Sequence, residues 1–552
     1  MLRFIAISIV VVGAIALGYP MAAAVTHGLD PALWPPVVMT PGQWFHSFVA
    51  TYGLHNAAAY VHMTAMRSPA FAGGGLIQAL TIASFPVAAF VLLYTPTPGP
   101  RRDPQGIHGA ARWAEPAERR KMKRGVELGL DPVSGSPVRV AVEGNLLTVA
   151  PPRTGKTSGL IIPNLAAIDR NSWCGPVVII DPKGEVYRAT AARRREMGRI
   201  VRCLDPMNLV GGSDHWNPLA SLDPKNIIYL QRLARALLPS AVSEENAYFQ
   251  NRAVDAVVAA LLAADADGGA TPSAVSDLLS NPDDLAEALL QVGGPTSRRM
   301  QNLLKMDSKT RDPVLSTAQQ TFQWCDDERL QDLTAHNTFS LSDLCKGDTD
   351  LFITLPTEDM ETLAPFLRWL LTDLFAAIRR NRAAERLIIA IDETRTLGRC
   401  RELVTAASEL PGFGGSLWTF CQDRSQVIAT VGEHDAATLL RTAEFVTLSD
   451  PSMVDPDERD FWSRALSDFT ILEETHVKDQ TSQGSRASSS QTPRAVRLMT
   501  AEELGRLPAN DLIVFPRSSR YAKRPLRLHK IRHDDQRLAG LTAPVPPVGP
   551  TT

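Results

Sequence analysis

Two short stretches carry side chains that together could do phosphate chemistry. The first is APPRTGKT, residues 150–157. Its Gly155, Lys156 and Thr157 fit the end of a phosphate-binding loop, in which a glycine and four further residues precede Gly-Lys-Ser/Thr. Such a loop points successive backbone N–H groups and a helix N-terminus at phosphate oxygens. Lys156 is expected to reach the β- and γ-phosphates of ATP, and the Thr157 hydroxyl to ligate Mg²⁺. Ala150, Pro151, Pro152, Arg153, Thr154, Gly155 and Ser158 complete the expected cradle. Ala150 stands where the pattern has its first glycine. If that position takes a positive φ, alanine costs about 1 kcal/mol there.

The second stretch is LIIAIDE, residues 387–393, an apolar run ending in two carboxylates. A parallel strand delivers its C-terminal end to the ligand crevice. Asp392 would hold the Mg²⁺ shell there, and Glu393 would orient or deprotonate an attacking water. The next apolar run, GSLWTFCQ, ends in Gln422, whose amide could contact the γ-phosphate. Capped strand ends and a chance Gly-Lys-Thr are the plain alternatives, but the two signals follow each other in order along one α/β pattern.

That pattern positions them. Leu146–Val149 reads as a buried strand entering the loop, and an apolar helical pattern leaves it from Lys156. Further strands are expected at 177–180, 199–206 and within DLFITLP, RLIIAIDE, GSLWTFCQD, AEFVTLSD and NDLIVFP, with helices between them. Strands that are apolar throughout and alternate with helices predict a parallel sheet covered on both faces. From about 222 to 345 strand runs vanish and helical periodicity takes over, as in NIIYLQRLARALL, FQNRAVDAVVAALLAA, PDDLAEALLQV and LQDLTAHNTF. The polar, Ser-rich segment 473–495 is expected to be a mobile loop and the Pro-rich tail from 536 to be disordered.

The N-terminus differs in kind. Residues 4–25 and 73–94 carry no charge. Each is long enough, at ~33 Å as a helix, to cross a hydrocarbon core. A cleaved signal peptide is the alternative for the first run. Eight Lys and Arg residues lie between Arg101 and Arg124, against Arg67 alone in the loop between the runs, so the large body is expected on the cytoplasmic side. The loop histidines His27, His46, His55 and His62 match no compact ligand set. A net charge of −2 excludes a polybasic nucleic-acid binder, leaving only a local basic surface. None of the six cysteines has zinc or redox spacing, which fits a reduced compartment.

These residues belong to a longer ordered set: GIHGAARWA (106–114), APPRTGKTSGLIIPNL, IIDPKGEVY (179–187), HWNPLA (215–220), IDE and CQD. The set resembles the type IV secretion coupling proteins, the TraG-like conjugative DNA-transfer ATPases. The resemblance implies a RecA-like P-loop NTPase domain with a mostly parallel sheet and an inserted all-α domain, preceded by two transmembrane helices. It divides the chain into a membrane anchor (1–96), a first nucleotide-binding part (97–221), the α insertion (222–345), a second nucleotide-binding part (346–535) and a tail (536–552). It implies a homo-hexamer at the inner membrane that takes a relaxase with single-stranded DNA to the secretion channel proteins. Asp181, Lys183 and Glu185 would lie near the nucleotide, although a strand-end cap also accounts for them. An arginine finger could be Arg395, Arg399, Arg401 or Arg441. Arg379, Arg380 and Arg382 are candidate pore residues or a solvated helix end. Export of protein effectors without DNA, and a non-hydrolysing membrane scaffold, are the alternative functions.

Overall fold

A computed structural model describes residues 101–543, apart from 104–105, 239–243, 267–269, 452–453, 482–483, 519, 522 and 533, and apart from the side chains of 244–247, 474–481 and 484–490. The apolar runs 4–25 and 73–94 and the four loop histidines lie outside the described residues. Among the described residues no helix is long and apolar enough to cross a membrane.

The described strands are, in chain order, β1 (Arg101–Arg102), β2 (Val126–Leu130), β3 (Pro137–Val140), β4 (Asn145–Val149), β5 (Val177–Ile180), β6 (Ile200–Leu204) and β7 (Thr349–Ile353). They continue as β8 (Leu387–Ile391), β9 (Gly415–Cys421), β10 (Ala443–Leu448), β11 (Asp468–Thr481), β12 (Gly484–Arg497), β13 (Asp511–Pro516) and β14 (Leu526–His529). The chain divides into two compact units. In the smaller, β1 pairs antiparallel with β11, and β12 lies on the other side of β11. Within 473–495, expected as a mobile loop, residues 473–481 and 484–495 therefore lie in the paired strands β11 and β12. A ribbon is held by its backbone ladder, so it needs no apolar alternation, and that alternation was the signal sought.

The larger unit is built on an eleven-stranded sheet in the order β3-β2-β14-β13-β10-β4-β9-β8-β5-β7-β6. The seven strands from β10 to β6 are parallel to one another. The other four extend it antiparallel. NDLIVFP (β13) thus runs against its neighbour β10, because an apolar run encodes burial and not direction. Strands β2, β3 and β14 were not read from the sequence; they are short and join the sheet through long-range pairing.

Both faces of the parallel sheet are buried, which is why its strands read as continuous apolar runs. Side chains alternate between faces at period two. Leu387, Ile389 and Ile391 of β8 enter one hydrophobic layer, and Ile388 and Ala390 enter the other. The first layer also takes in the helices between β6 and β7. Helix Ile227–Leu237 contributes Leu230, Leu233, Ala234 and Leu237, spaced for one face. Thr334–Phe339, the end of LQDLTAHNTF, lies outside the helix Glu328–Leu333.

Helix Met360–Asn381 packs against this segment and buries Arg368. Its guanidinium donates to Ala236 O (2.7 Å), Leu237 O (2.6 Å) and Leu397 O (2.9 Å). Helix ends leave carbonyls without intrahelical donors, and one buried arginine satisfies two of them here. The same side chain ties that helix end to the turn that follows β8.

At the start of the tail, Gln536–Leu538 forms a 3₁₀ turn with Leu538 buried. Arg537 pairs with the buried Glu127 at 2.9 Å. The expected disorder does not begin at 536, because this ion pair and apolar contact hold the segment.

After β2, Asp131 turns the chain into β3. Its Oδ1 accepts the N–H groups of Val133 and Ser134, both at 2.9 Å, and its other oxygen accepts the Arg119 guanidinium. Burial alone would raise this carboxyl, but the Arg119 and backbone donors outweigh it and hold it at about 2. Because the folded value lies below the ordinary 3.8, the stabilisation is present above that pH and is lost as pH falls toward 2. Asp131→Asn leaves Arg119 without its counter-charge, and is expected to cost about 3 kcal/mol near neutrality. Urea unfolding read by tryptophan fluorescence should show that gap near pH 7 and a much smaller one near pH 2.5.

Candidate nucleotide site

The phosphate-type loop leaves β4 at its carboxyl end. Ala150 extends that strand by one residue: its N–H donates to Cys421 O at 2.8 Å, and it is 1% exposed. Ala150 is not among the residues with positive φ, so the cost set against a missing glycine does not arise. The left-handed positions are Arg153 (φ 63°) and Gly155 (φ 83°). The strain sits on Arg153, a non-glycine in that region, at a cost on the order of 1 kcal/mol. Thr154 Oγ1 donates to Pro151 O at 2.7 Å and braces the bend.

Beyond the loop, Thr157–Ile161 forms a π turn and Ile162–Ala166 an α-helix. Pro163 has no N–H, and its ring would crowd the carbonyl four residues back, so the chain widens before it. Gly159 sits in this turn against β14's continuation. A Cβ there would lie 2.6 Å from Ile531 O. Sequence reading did not single out Gly159; the requirement is a long-range approach of backbone to backbone.

The acidic strand β8 is not adjacent to β4; β9 lies between them. The register sets Val149 opposite Cys421 and Ile391 opposite Thr419, so the three strand ends open on one crevice. Thr157 Oγ1 reaches across to Asp392, 2.9 Å from Oδ2 and 3.0 Å from Oδ1. Lys156 Nζ lies 3.2 Å from Glu393 Oε2. Gln422 Nε2, from the strand between, lies 3.4 Å from the same oxygen. Thr394 Oγ1 donates to Phe420 O at 2.8 Å and pins the turn after β8 to β9. The structure thus brings Lys156, Thr157, Asp392, Glu393 and Gln422 together.

Asp181, at the end of β5, joins this corner. Its Oδ2 accepts Tyr187 N–H at 3.0 Å, so it does cap the following helix. Lys183 is exposed, and Gly184 (φ 68°) makes the bend before Glu185. Desolvation raises the Asp181 carboxyl to about 7, with the Asp392 charge pushing the same way against the Tyr187 hydrogen bond. Desolvation likewise raises Asp392 to about 6; Lys156 and Thr157 oppose it, while Glu393 and Glu185 add to it. Asp181 Oδ1 and Glu393 Oε1 are buried and lack a hydrogen-bond partner among the described residues. Buried acceptors left unpaired beside like charges are costly, and a cation offsets both penalties. These residues fit Mg²⁺, which the Thr157 hydroxyl and Asp392 could hold through oxygen. Mg²⁺ takes one or two such ligands and fills its shell with phosphate and water. Among the described residues there is no cluster of three or more His, Cys, Asp or Glu that could hold a metal.

Other sequence candidates fall elsewhere. Arg379 is taken up by Glu409 (2.8 Å) and Glu402 (3.3 Å), and Arg382 donates to Gly412 O. Arg401 pairs with Asp435 at 3.3 Å, while Arg395, Arg399 and Arg441 are exposed. All six cysteines are free thiols.

A family model described as type IV secretory system conjugative DNA transfer matches residues 142–538. The protein VirD4 of Rhizobium radiobacter is 24% identical over 458 residues, which are 78% of this chain and 65% of that relative. The chain therefore spans slightly under two thirds of that relative's length. The conjugal transfer protein TraG of Escherichia coli is 25% identical over 502 residues, 76% of each chain. Among solved structures, the plasmid coupling protein TrwB in complex with ADP and Mg²⁺ superposes with a TM-score of 0.58 at 17% identity, covering 76% of this chain and 93% of that one.

The backbone of the loop gives a prediction. Ala150→Gly is expected to leave ATP affinity within about threefold of the parent and to lower stability by about 0.5–1 kcal/mol, since it only loosens a strand end. Gly159→Ala is expected to weaken both, because the new methyl group meets Ile531 O. Titration with a fluorescent ATP analogue, paired with urea unfolding, reads both variants; a large gain in affinity from Ala150→Gly would contradict this account of the loop.

Proposed function

The chain belongs to the type IV secretory system conjugative DNA transfer family, and from that premise we propose that it is a membrane-held ATPase that drives a DNA substrate into a secretion channel. The observation that carries the reading is the meeting of Thr157 with Asp392, and of Lys156 with Glu393, at the carboxyl edge of a RecA-like sheet. The TrwB structure with ADP and Mg²⁺, similar in fold, supports nucleotide as the ligand.

In this reading Lys156 binds the β- and γ-phosphates, and the N–H groups after Pro152 cradle them. Thr157 and Asp392 would hold Mg²⁺, which would supply positive charge against the charge developing on the phosphate. Glu393 is the group that orients water and accepts its proton. Its Oε2 is shared between Lys156 and Gln422, so a phosphate oxygen that draws Lys156 away frees this carboxylate for water. Gln422 then links the catalytic carboxylate to β9 and senses which partner Glu393 has. Asp181, buried beside Asp392 at the end of β5, would add negative charge to the place where the ion is held.

The wider reading follows the family. The apolar runs 4–25 and 73–94 anchor the chain in the inner membrane, with the body on the cytoplasmic side. Six copies form the working ring, the helical segment after β6 acts as an inserted all-α domain, and a relaxase with its single strand is the cargo passed to the channel proteins.

Lys156→Ala is expected to abolish measurable phosphate release. Glu393→Gln is expected to lower kcat by about 10²–10³ while ATP affinity stays within about threefold, because a proton acceptor is lost and a binding group is not. Phosphate release and nucleotide titration on both variants check this. Hydrolysis that survives Lys156→Ala would remove the ATPase reading.

A further inference from the structure

A second concave site lies where the helical segment meets the turn after β8. Its volume is about 520 Å³, and four arginines line it: Arg232 and Arg235 from helix Ile227–Leu237, and Arg399 and Arg401 from the loop beyond Glu393. Their charge is mostly uncompensated. Arg401 is held by Asp435, and Glu402 on the wall is already engaged by Arg379. Neither Arg235 nor Arg399 has a hydrogen-bond or ion-pair partner among the described residues. Arg232 rests over the Tyr229 ring at 5.3 Å. A solvated helix face disperses its charges into water, whereas here guanidinium groups from two separate elements converge on one hollow.

The surroundings narrow the ligand. Ile228, 83% exposed, sits one turn from Arg232 on the same helix face. Tyr248, 48% exposed and covered by Arg252 at 5.7 Å, lies three residues from Asn251, which lines the pocket. Planar guanidinium forks match phosphate oxygens, and arginines beside exposed apolar surface suit a flexible phosphodiester strand bound without sequence preference.

The pocket is also fastened to the catalytic strand. Arg368 bonds Ala236 O and Leu237 O, next to Arg235, and Leu397 O, two residues before Arg399. The two arginine-bearing elements are thereby held as one body, six residues along the chain from Glu393.

We propose that this pocket grips the phosphodiester backbone of single-stranded DNA through Arg232, Arg235 and Arg399. The proposal rests on the reading of the cargo as DNA, and it assigns the contact to residues outside the nucleotide site. The test is fluorescence anisotropy of a labelled oligothymidylate with the full chain in mild detergent, across a salt titration. The double variant Arg232→Gln, Arg235→Gln should weaken binding at least about tenfold near 0.1 M salt and flatten the slope of log K against log salt by about 1.4, two phosphate contacts at about 0.7 each. Arg399→Lys, which keeps the charge without the fork, should bind between the parent and Arg399→Gln. Unchanged affinity and slope in a double variant that still melts like the parent would overturn the site. Displacement of the oligonucleotide by oligoglutamate at equal charge would overturn it in favour of an acidic protein segment. A parent chain that hydrolyses ATP but binds no oligonucleotide defeats this pocket and leaves the ATPase standing; arginine-dependent binding without any hydrolysis does the reverse.

Discussion

The hydrogen bond from the Thr157 hydroxyl to Asp392 joins two strand ends that never touch. β9 separates them, so the contact exists only because β4 and β8 both end within two residues of the end of β9 and the chain after each strand turns toward the same crevice. Everything else in the site is arranged around it. Lys156 follows Thr157's neighbouring backbone to Glu393, and Gln422 reaches the same carboxylate from the strand between. Asp181 and Asp392 are desolvated in one corner, and Glu393 beside them lies 3.2 Å from Lys156 Nζ.

The backbone around this contact is held by constraints of a different kind. Ala150 is locked into the ladder, and the left-handed turns fall at Arg153 and Gly155. Pro163 forces a π turn, and that turn presses Gly159 onto the backbone of Ile531. The loop is therefore set by sheet pairing on one side and by the returning C-terminal segment on the other. A single residue type at its first position carries little of the burden.

The helical segment meets the catalytic strand through one side chain. Arg368 gathers carbonyls from the end of helix Ile227–Leu237 and from the turn after β8, and it does so while buried. A buried guanidinium bonded to three carbonyls is costly to dislodge, so the turn beside Glu393 and the helix end are held together.

The amino-acid order alone determined the elements whose chemistry is local. Gly-Lys-Thr after an apolar run, Asp-Glu at the end of another and the period of the helices after β6 were legible, because backbone preference and burial act over a few residues. Tertiary structure decided the rest. That Ala150 needs no glycine, that β13 runs antiparallel, that β2, β3 and β14 complete the sheet and that the Ser-rich segment forms a ribbon all depend on partners far along the chain. The same holds for the arginines: Arg232 and Arg235 lie more than a hundred residues from Arg399, and no local pattern marks them as neighbours. Distance in the chain hides what long-range pairing and packing bring together, and that is where the remainder of the site was decided.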